Sequence, residues 1–418
     1  MNVLIEFLSA SGRFGAGEYH RRVVTCLLDY IRRKDRDDIN LYVLYDHCVP
    51  ISFEDMREDS IGQNNDVKFL DVHGRKITEI IKEYNIHRFF IACGQRMGVY
   101  SDIINVDCEV ICVTHDMLYE EWYDNHLYEY WDACKNKRQS LSMLIKSLFG
   151  IVKHEIKSIV KYILGFDYCG RGGKELEYMS NIVRMLNLNP RSQCIMVSEY
   201  SKISMAYNYG LNPNKIKVLY SPERIAAPLL PIENNLLSEV IKNGRKYYLL
   251  LSADRDSKNA QKAINAFKKF VNYDKDAYLL VTGLSVGGTD KIIMLGFLSD
   301  SDLMRAMQNC YALVYPSYFE GFGYPPLEAM KFGKPVLCSY ATSIPEILGD
   351  APLYFCPLYE SAIFQALTLL TNDNYVEYSK RSTERYNYIH RRQEEDLGTL
   401  VDLILSPVRD GLNKYIVK

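Results

Sequence analysis

The sequence predicts an α/β protein of two successive domains, each a parallel sheet with helices on both faces, with a cleft between them. Three observations lead to this reading. Short apolar runs alternate with stretches of helical period along most of the chain, as βαβ units require. The alternation stops near residue 222 and begins again near 246. The 418 residues suffice for two or three domains, each with its own core.

The first apolar run, residues 3–8, ends in the turn-prone Ser9-Ala10-Ser11-Gly12 and leads into a helical pattern over 17–33. Strand-like runs follow at 41–45, 67–70, 88–92, 110–114, 193–198 and 215–220, with helical stretches at 76–84 and 199–209. The segment 222–245, with Pro222, Pro228 and Pro231 and no strong strand, reads as a linker. The second set comprises strands at 247–251, 277–282, 291–295, 311–315 and 335–339. Helices are expected at 260–271, at 300–309 and from about 326. The domains are therefore 1–221 and 246–390, with a helical segment over 391–418 that packs back on the first domain.

One stretch interrupts the pattern. Residues 130–187 form a helical insertion without a good strand. Within it, residues 143–164 place Leu144, Ile145, Leu148, Val152, Ile156 and Ile159 on one helical face and Lys146, Lys153, Lys157 and Lys161 on the other. Such a helix either packs on the first domain with a solvated lysine face or lies on anionic lipid.

Composition removes several function classes. Fifty basic against fifty-two acidic residues give a net charge of −2, so nucleic acid is not an expected partner. Eleven scattered cysteines lack the paired spacing of a zinc or disulfide framework. The N-terminus has no secretory pattern, and no apolar run is long enough to span a bilayer. A cytoplasmic protein, at most peripheral at the inner face of the membrane, is expected.

The chemistry concentrates in Phe319-Glu320-Gly321-Phe322-Gly323-Tyr324-Pro325-Pro326-Leu327-Glu328, which follows the expected strand 311–315. Gly321 and Gly323 permit close approach of the backbone to a ligand. Pro325 and Pro326 suit the first positions of a helix whose N-terminus attracts a diphosphate. Glu328, expected in the first helical turn, has the geometry to accept from a ribose diol. Glu320, in the loop, reaches a sugar hydroxyl.

These residues resemble the paired-glutamate motif of the retaining glycosyltransferases of family 4 (group 1 glycosyltransferases), with seven residues between the glutamates. Phe332-Gly333-Lys334-Pro335-Val336 and Ser343-Ile344-Pro345-Glu346-Ile347-Leu348-Gly349-Asp350 resemble that family's continuation. The resemblance is strong over about 246–357 and weaker over the first domain. It implies the GT-B fold, two Rossmann-like parallel-sheet domains facing a central cleft. It further implies a nucleotide-sugar donor held mainly by the second domain, with Gly321, Phe322 and Gly323 lining it. Metal-independent transfer with retention of configuration follows from the same likeness. The acceptor would be a sugar or lipid-linked sugar, the setting bacterial surface-polysaccharide assembly.

Arg255 and Lys258 lie in the loop between the strand at 247–251 and the helix at 260–271, where two cations can clamp a diphosphate leaving group. Ser252 stands where the family often has glycine. In the first domain, Gly15 and Gly17 match the position of the family's glycine loop, although their spacing is not the dinucleotide fingerprint. His115, after the strand at 110–114, corresponds to a family histidine beside the donor sugar. The expected catalytic set is thus His115, Glu320, Arg255 and Lys258, with Glu328, Gly15, Gly17 and the 321–323 loop completing donor binding. No metal or other cofactor is expected. Ser198 reads equally as a helix cap and stays outside the set. Two rival readings remain open: a nucleotide-sugar epimerase or hydrolase on the same fold, and a non-catalytic scaffold.

Overall fold

The computed structural model describes residues 1–11, 15–34, 36, 38–49, 67–121, 173–225, 228 and 230–407. The 143–164 segment and the glycine-loop residues 12–14 lie outside this set.

Two wholly parallel sheets form the framework. The first runs in the order β3 (Val67–Asp71), β2 (Asn40–Tyr45), β1 (Asn2–Glu6), β4 (Arg88–Ile91), β5 (Glu109–Thr114), β6 (Ser192–Met196), β7 (Ile216–Val218). The second has the order β10 (Ile292–Gly296), β9 (Tyr278–Thr282), β8 (Tyr247–Leu250), β11 (Ala312–Tyr315), β12 (Val336–Ser339), β13 (Leu353–Phe355). In both, the order reverses beside an early strand, β1 or β8, and ligand crevices open at such switch points. The central strands are covered on both faces, which is why they read as apolar runs, whereas the edge strand β3 leaves Lys68 and Phe69 exposed. In β1, Val3 and Ile5 join one buried cluster while Leu4 joins another.

Helix α1 (Gly15–Lys34) shows how the pattern becomes packing. Tyr19, Val23, Val24, Leu27 and Leu28 share its buried face, and Arg32, Arg33 and Lys34 complement the dipole at its last turn. Helices α2 (Ile77–Glu83), α3 (Gly94–Met97), α4 (Leu118–Glu121), α5 (Gly173–Leu188) and α6 (Glu199–Tyr209) complete the described part of the first domain. The second domain adds α7 (Asn235–Lys242), α8 (Ala260–Phe270), α9 (Asp300–Asn309), α10 (Tyr324–Lys331), α11 (Ile344–Leu348) and α12 (Glu360–Leu369). The chain ends in α13 (Asn372–Leu405).

Two features differ from the sequence reading. The stretch 222–245 is not all linker, because α7 buries Leu237 and Val240 in the second domain's core. The Glu233 and Asn234 amides bind the Asp302 carboxylate at 3.1 and 2.8 Å, and the Asn234 side chain caps the helix. The boundary at 390 also disappears, since α13 runs unbroken for 34 residues.

Its first half holds the second domain, through Ser379 Oγ to the Gly333 carbonyl and Arg385 Nε to the Ile347 carbonyl, at 2.6 and 2.7 Å. Its second half holds the first. Asp396 accepts from the Tyr220 amide at 2.8 Å, and Gln393 donates to the Ser221 carbonyl at 2.6 Å. Arg88, fully buried in β4, donates to the carbonyls of Ile404 and Ser406 at 2.7 and 2.6 Å. A single apolar cluster accordingly runs from Ile5 and Leu27 through Val401 to Leu249 and Leu313. No helix among the described residues is long and apolar enough to cross a membrane.

Candidate active site

The C-terminal ends of β8 and β11 carry the loops that build the site. After β8, Ser252 takes a left-handed conformation at φ 53°. That is the conformation a glycine would adopt without strain. The loop then makes a short 3-10 turn, Asp256–Lys258, and Asn259 again takes φ 53°. The Asn259 amide donates to the carbonyls of Pro316 and Pro357 at 3.2 and 2.8 Å, tying together the ends of three strands. The Tyr318 amide donates to the Ser257 carbonyl at 2.8 Å.

This bracing brings Lys258 and Glu320 into a buried ion pair. Lys258 Nζ also donates to the Tyr315 hydroxyl at 3.0 Å, and that hydroxyl donates to Glu320 Oε1 at 2.6 Å. Ser317 Oγ donates to the same oxygen. Burial by itself would raise the Glu320 pKa, but the Lys258 ammonium and these donors outweigh it and hold the carboxyl below its usual range. Burial lowers the pKa of Lys258, against the pull of Glu320. An ammonium has three N–H donors, and two of Lys258's are used here. Arg255, three residues earlier, is exposed at the rim.

Gly323 takes φ 97° at the N-cap of α10 with open space around it. The helix begins at Tyr324, so Glu328 lies one turn in, not in the first turn as expected. Glu328 faces Arg224, whose Nε lies 3.2 Å from Oε1 and whose guanidinium stacks 4.9 Å over the Tyr324 ring. Burial raises the Glu328 pKa against the opposing charge of Arg224. Around the pair opens a pocket lined by Glu18 of α1, Asp300 and Met304 of α9, and Lys331 of α10. Phe322 is not exposed to this pocket. It is buried between Tyr220 and Tyr324, at 5.6 and 5.5 Å between ring centroids.

The first domain closes onto these loops. Gly15 starts α1 facing the Tyr324 ring, at 3.5 Å from where its Cβ would stand, and Gly17, two residues on, is buried in the first turn. A Cβ on Gly321 would collide with the His115 carbonyl oxygen and lie 2.8 Å from Asp116 Cβ. The Gly321 carbonyl accepts from Ser198 Oγ at 2.8 Å. Glu346 of α11 accepts from the Glu199 and Tyr200 amides at 2.8 and 3.0 Å, capping α6 from the opposite domain. His115 Nε2 donates to the Ala92 carbonyl at 2.9 Å, and its ring meets Tyr19 edge-on at 4.9 Å. Burial lowers its pKa to about 4, so the ring is neutral at pH 7 with an unprotonated Nδ1. Burial likewise pushes Asp116 up to about 6.

The structure thus brings Glu320, Lys258, Gly321 and the His115 backbone together, with Gly15 beside Tyr324 and Glu328 in the adjoining pocket. Phe322 is structural. Glu18, Arg224, Asp300 and Glu346 were not singled out from sequence, and Ser198 is the helix cap it was read as, its side chain accepting from the Ser201 amide.

Comparison with known proteins agrees with this geometry. Residues 232–386 match the family described as glycosyl transferases group 1. The O-antigen chain mannosyltransferase B of Escherichia coli is 51% identical over 63 residues, 15% of this chain and 16% of that protein. The O-antigen chain mannosyltransferase RfbU of Salmonella typhimurium is 30% identical over 179 residues, 39% of this chain and 46% of that protein. The matches therefore span less than half of either relative. The Anabaena protein HepE, solved with UDP and glucose, superposes with a TM-score of 0.60 over 97% of this chain and 100% of its own, at 14% identity. The matched region thus sits within a two-domain GT-B fold.

Proposed function

We propose that the chain is a glycosyltransferase that moves a sugar, with retention and without a metal, from a nucleoside-diphosphate sugar to a glycan acceptor. The observation that carries this reading is the Lys258–Glu320 pair braced by Tyr315 and Ser317 at the end of β11, in the loop that leads into α10 with Glu328 and its pocket. Glu328 is suited to the ribose. The remaining Lys258 donor, Arg255 and the positive dipole end of α10 are suited to the diphosphate as it departs. Two cations there supply the neutralisation that a metal provides in other transferases. Glu320, held ionised and oriented, is suited to a hydroxyl of the transferred sugar. The neutral His115 lies on the opposite domain, facing the same loop.

The named relatives are mannosyltransferases of O-antigen chains, so the transferred sugar is proposed to be mannose and the setting surface-polysaccharide assembly at the cytoplasmic side of the membrane. A lipid-linked acceptor would suit contact of residues 143–164 with anionic lipid.

The test incubates the full chain and chelator with nucleoside-diphosphate mannose, with and without a mannose-terminated glycan. The expected result is acceptor-dependent release of nucleoside diphosphate and a product of the donor's anomeric configuration. Release at equal rate without acceptor would identify a hydrolase, and activity only after adding a divalent metal would overturn the metal-free reading.

A further inference from the structure

We infer that this chain binds a zinc ion at the far edge of its first domain, through Asp46, His47, Cys48 and His73. Each of these residues has a ligand atom within 4.8 Å of one from each of the others. None belongs to the donor site, and they lie just past the ends of strands β2 and β3, whose final residues Tyr45 and Asp71 sit side by side at the last register position. The chain leaves both strands in the same direction there. That is why Asp46-His47-Cys48 and His73, far apart in sequence, meet at one corner of the sheet.

The donor set is that of zinc: imidazole, thiolate and carboxylate, not the all-oxygen shell of calcium or magnesium. The spacing also fits. Zinc bonds of about 2.0 to 2.1 Å at tetrahedral angles put neighbouring nitrogen and oxygen ligands about 3.3 Å apart. Asp46 Oδ1 and His73 Nδ1 are 3.2 Å apart.

Neighbouring hydrogen bonds orient these side chains, as they do for the ligands of zinc sites. Asp71 Oδ2 accepts from His47 Nδ1 at 2.6 Å, which leaves the lone pair on His47 Nε2. Asp71 Oδ1 accepts from the His73 amide at 3.0 Å. The Cys48 amide donates to Asp46 Oδ1 at 2.9 Å, curling the chain so that its thiol faces the same centre. The two imidazole rings lie 4.6 Å apart. Cys48 is one of two exposed free thiols among the described residues, the other being Cys356. The absence of a paired cysteine spacing concealed the site in the sequence, because its ligands come together only through strand register.

Zinc here would clip the ends of β2 and β3 together. The test uses tag-free full-length protein stripped with chelator, titrated with zinc in a calorimeter and with cobalt(II) in a spectrophotometer. One equivalent of zinc is expected, with a raised melting temperature. Cobalt is expected to give a thiolate charge-transfer band with strong tetrahedral d–d bands. Cys48→Ser should remove the charge-transfer band, whereas Cys356→Ser should leave it. His73→Ala should weaken zinc binding more than about 100-fold, beyond the about 10- to 100-fold expected of Asp71→Asn. All four side chains are at least partly exposed, so the variants retain the fold. Zinc binding of equal strength in His73→Ala and the parent would overturn the site. A cobalt spectrum unaltered by Cys48→Ser, or no bound equivalent in the parent, would do the same.

Discussion

The hydroxyl of Ser198 donates to the carbonyl of Gly321 at 2.8 Å, so the loop carrying the first motif glutamate is fastened to the opposite domain. Glu346 reinforces the closure by capping α6. Gly321 is essential to it, because a Cβ there would meet the His115 carbonyl. Gly321→Ala is therefore expected to hold the domains apart. Transfer should fall about 100-fold, as misplacement near 1 Å can cause. Nucleoside diphosphate affinity, which needs mainly the second domain, should change little. Steady-state kinetics beside calorimetry check this, and an equal loss in both would place the damage within the second domain.

The Lys258–Glu320 pair is buried, with side chains 8% and 13% exposed, so its loss cannot be read from activity alone. Lys258→Ala strands a buried carboxylate and is expected to cost about 3 kcal/mol or more of stability. Adding Glu320→Gln removes that charge and should restore much of the stability, while transfer stays lost. Chemical denaturation of the single and double variants measures the first effect. If the double variant recovers turnover, neither charge serves the reaction.

Glu328→Ala removes a carboxylate proposed to bind two ribose hydroxyls, and nucleoside diphosphate binding should weaken by about 1.5 to 3 kcal/mol. The lost carboxylate also leaves Arg224 unpaired, so the variant's melting temperature is needed alongside the titration. Unchanged affinity would remove Glu328 from the donor site.

Glu6, fully buried at the end of β1, accepts from the Ser9 amide and hydroxyl at 2.6 and 2.7 Å. Burial raises its pKa from 4.5 to about 7. The folded state keeps this proton where the unfolded chain has lost it. Its contribution to stability therefore falls as pH rises from 4.5 to 7, by up to about 3 kcal/mol. Glu6→Gln should be more stable than the parent at pH 8 and no more stable at pH 4. His20 and His115, lowered by burial to about 3 and about 4, act in the opposite sense as pH falls below 6.5. They are common to both proteins, so the difference between the two denaturation profiles isolates Glu6. Parallel profiles would show that Glu6 titrates normally.

Residues 143–164 carry the remaining prediction. Full-length protein should co-sediment with anionic vesicles at low salt and be released at high salt. Each lysine near such a surface contributes about 1 kcal/mol. Replacing Lys146, Lys153, Lys157 and Lys161 by glutamine should abolish sedimentation without altering donor affinity. Sedimentation of that variant equal to the parent's would leave the lysines without a lipid role.

The two sheets were legible because a parallel strand covered on both faces must be apolar throughout, and most such runs stood out with ends within a residue or two. Strand β13 did not, since its three residues are too few to show a period. The loop after β11 was legible because its glutamates, glycines and prolines are close in sequence. Arg224 and Glu18 were not, because their role comes from meeting Glu328 across the domain boundary. Phe322 misled for a related reason: an aromatic between two motif glycines reads as ligand-facing until Tyr220 is seen packed against it.

Helix α13 changes what opening the cleft can mean. At 34 residues it is about 51 Å long, a rod anchored to one domain by Arg385 and to the other by Asp396. Among the described residues, the only other covalent crossing is the strand-free stretch after β7. Two attachments define a line, and a body held along a line swings like a door about its hinges. Sliding apart would break the rod's grip at one end, whereas a swing keeps that grip and releases the contacts at the far lip, the Ser198 and Glu346 latches among them. Donor entry and product exit would then share one angular coordinate, widest at the lip farthest from α13.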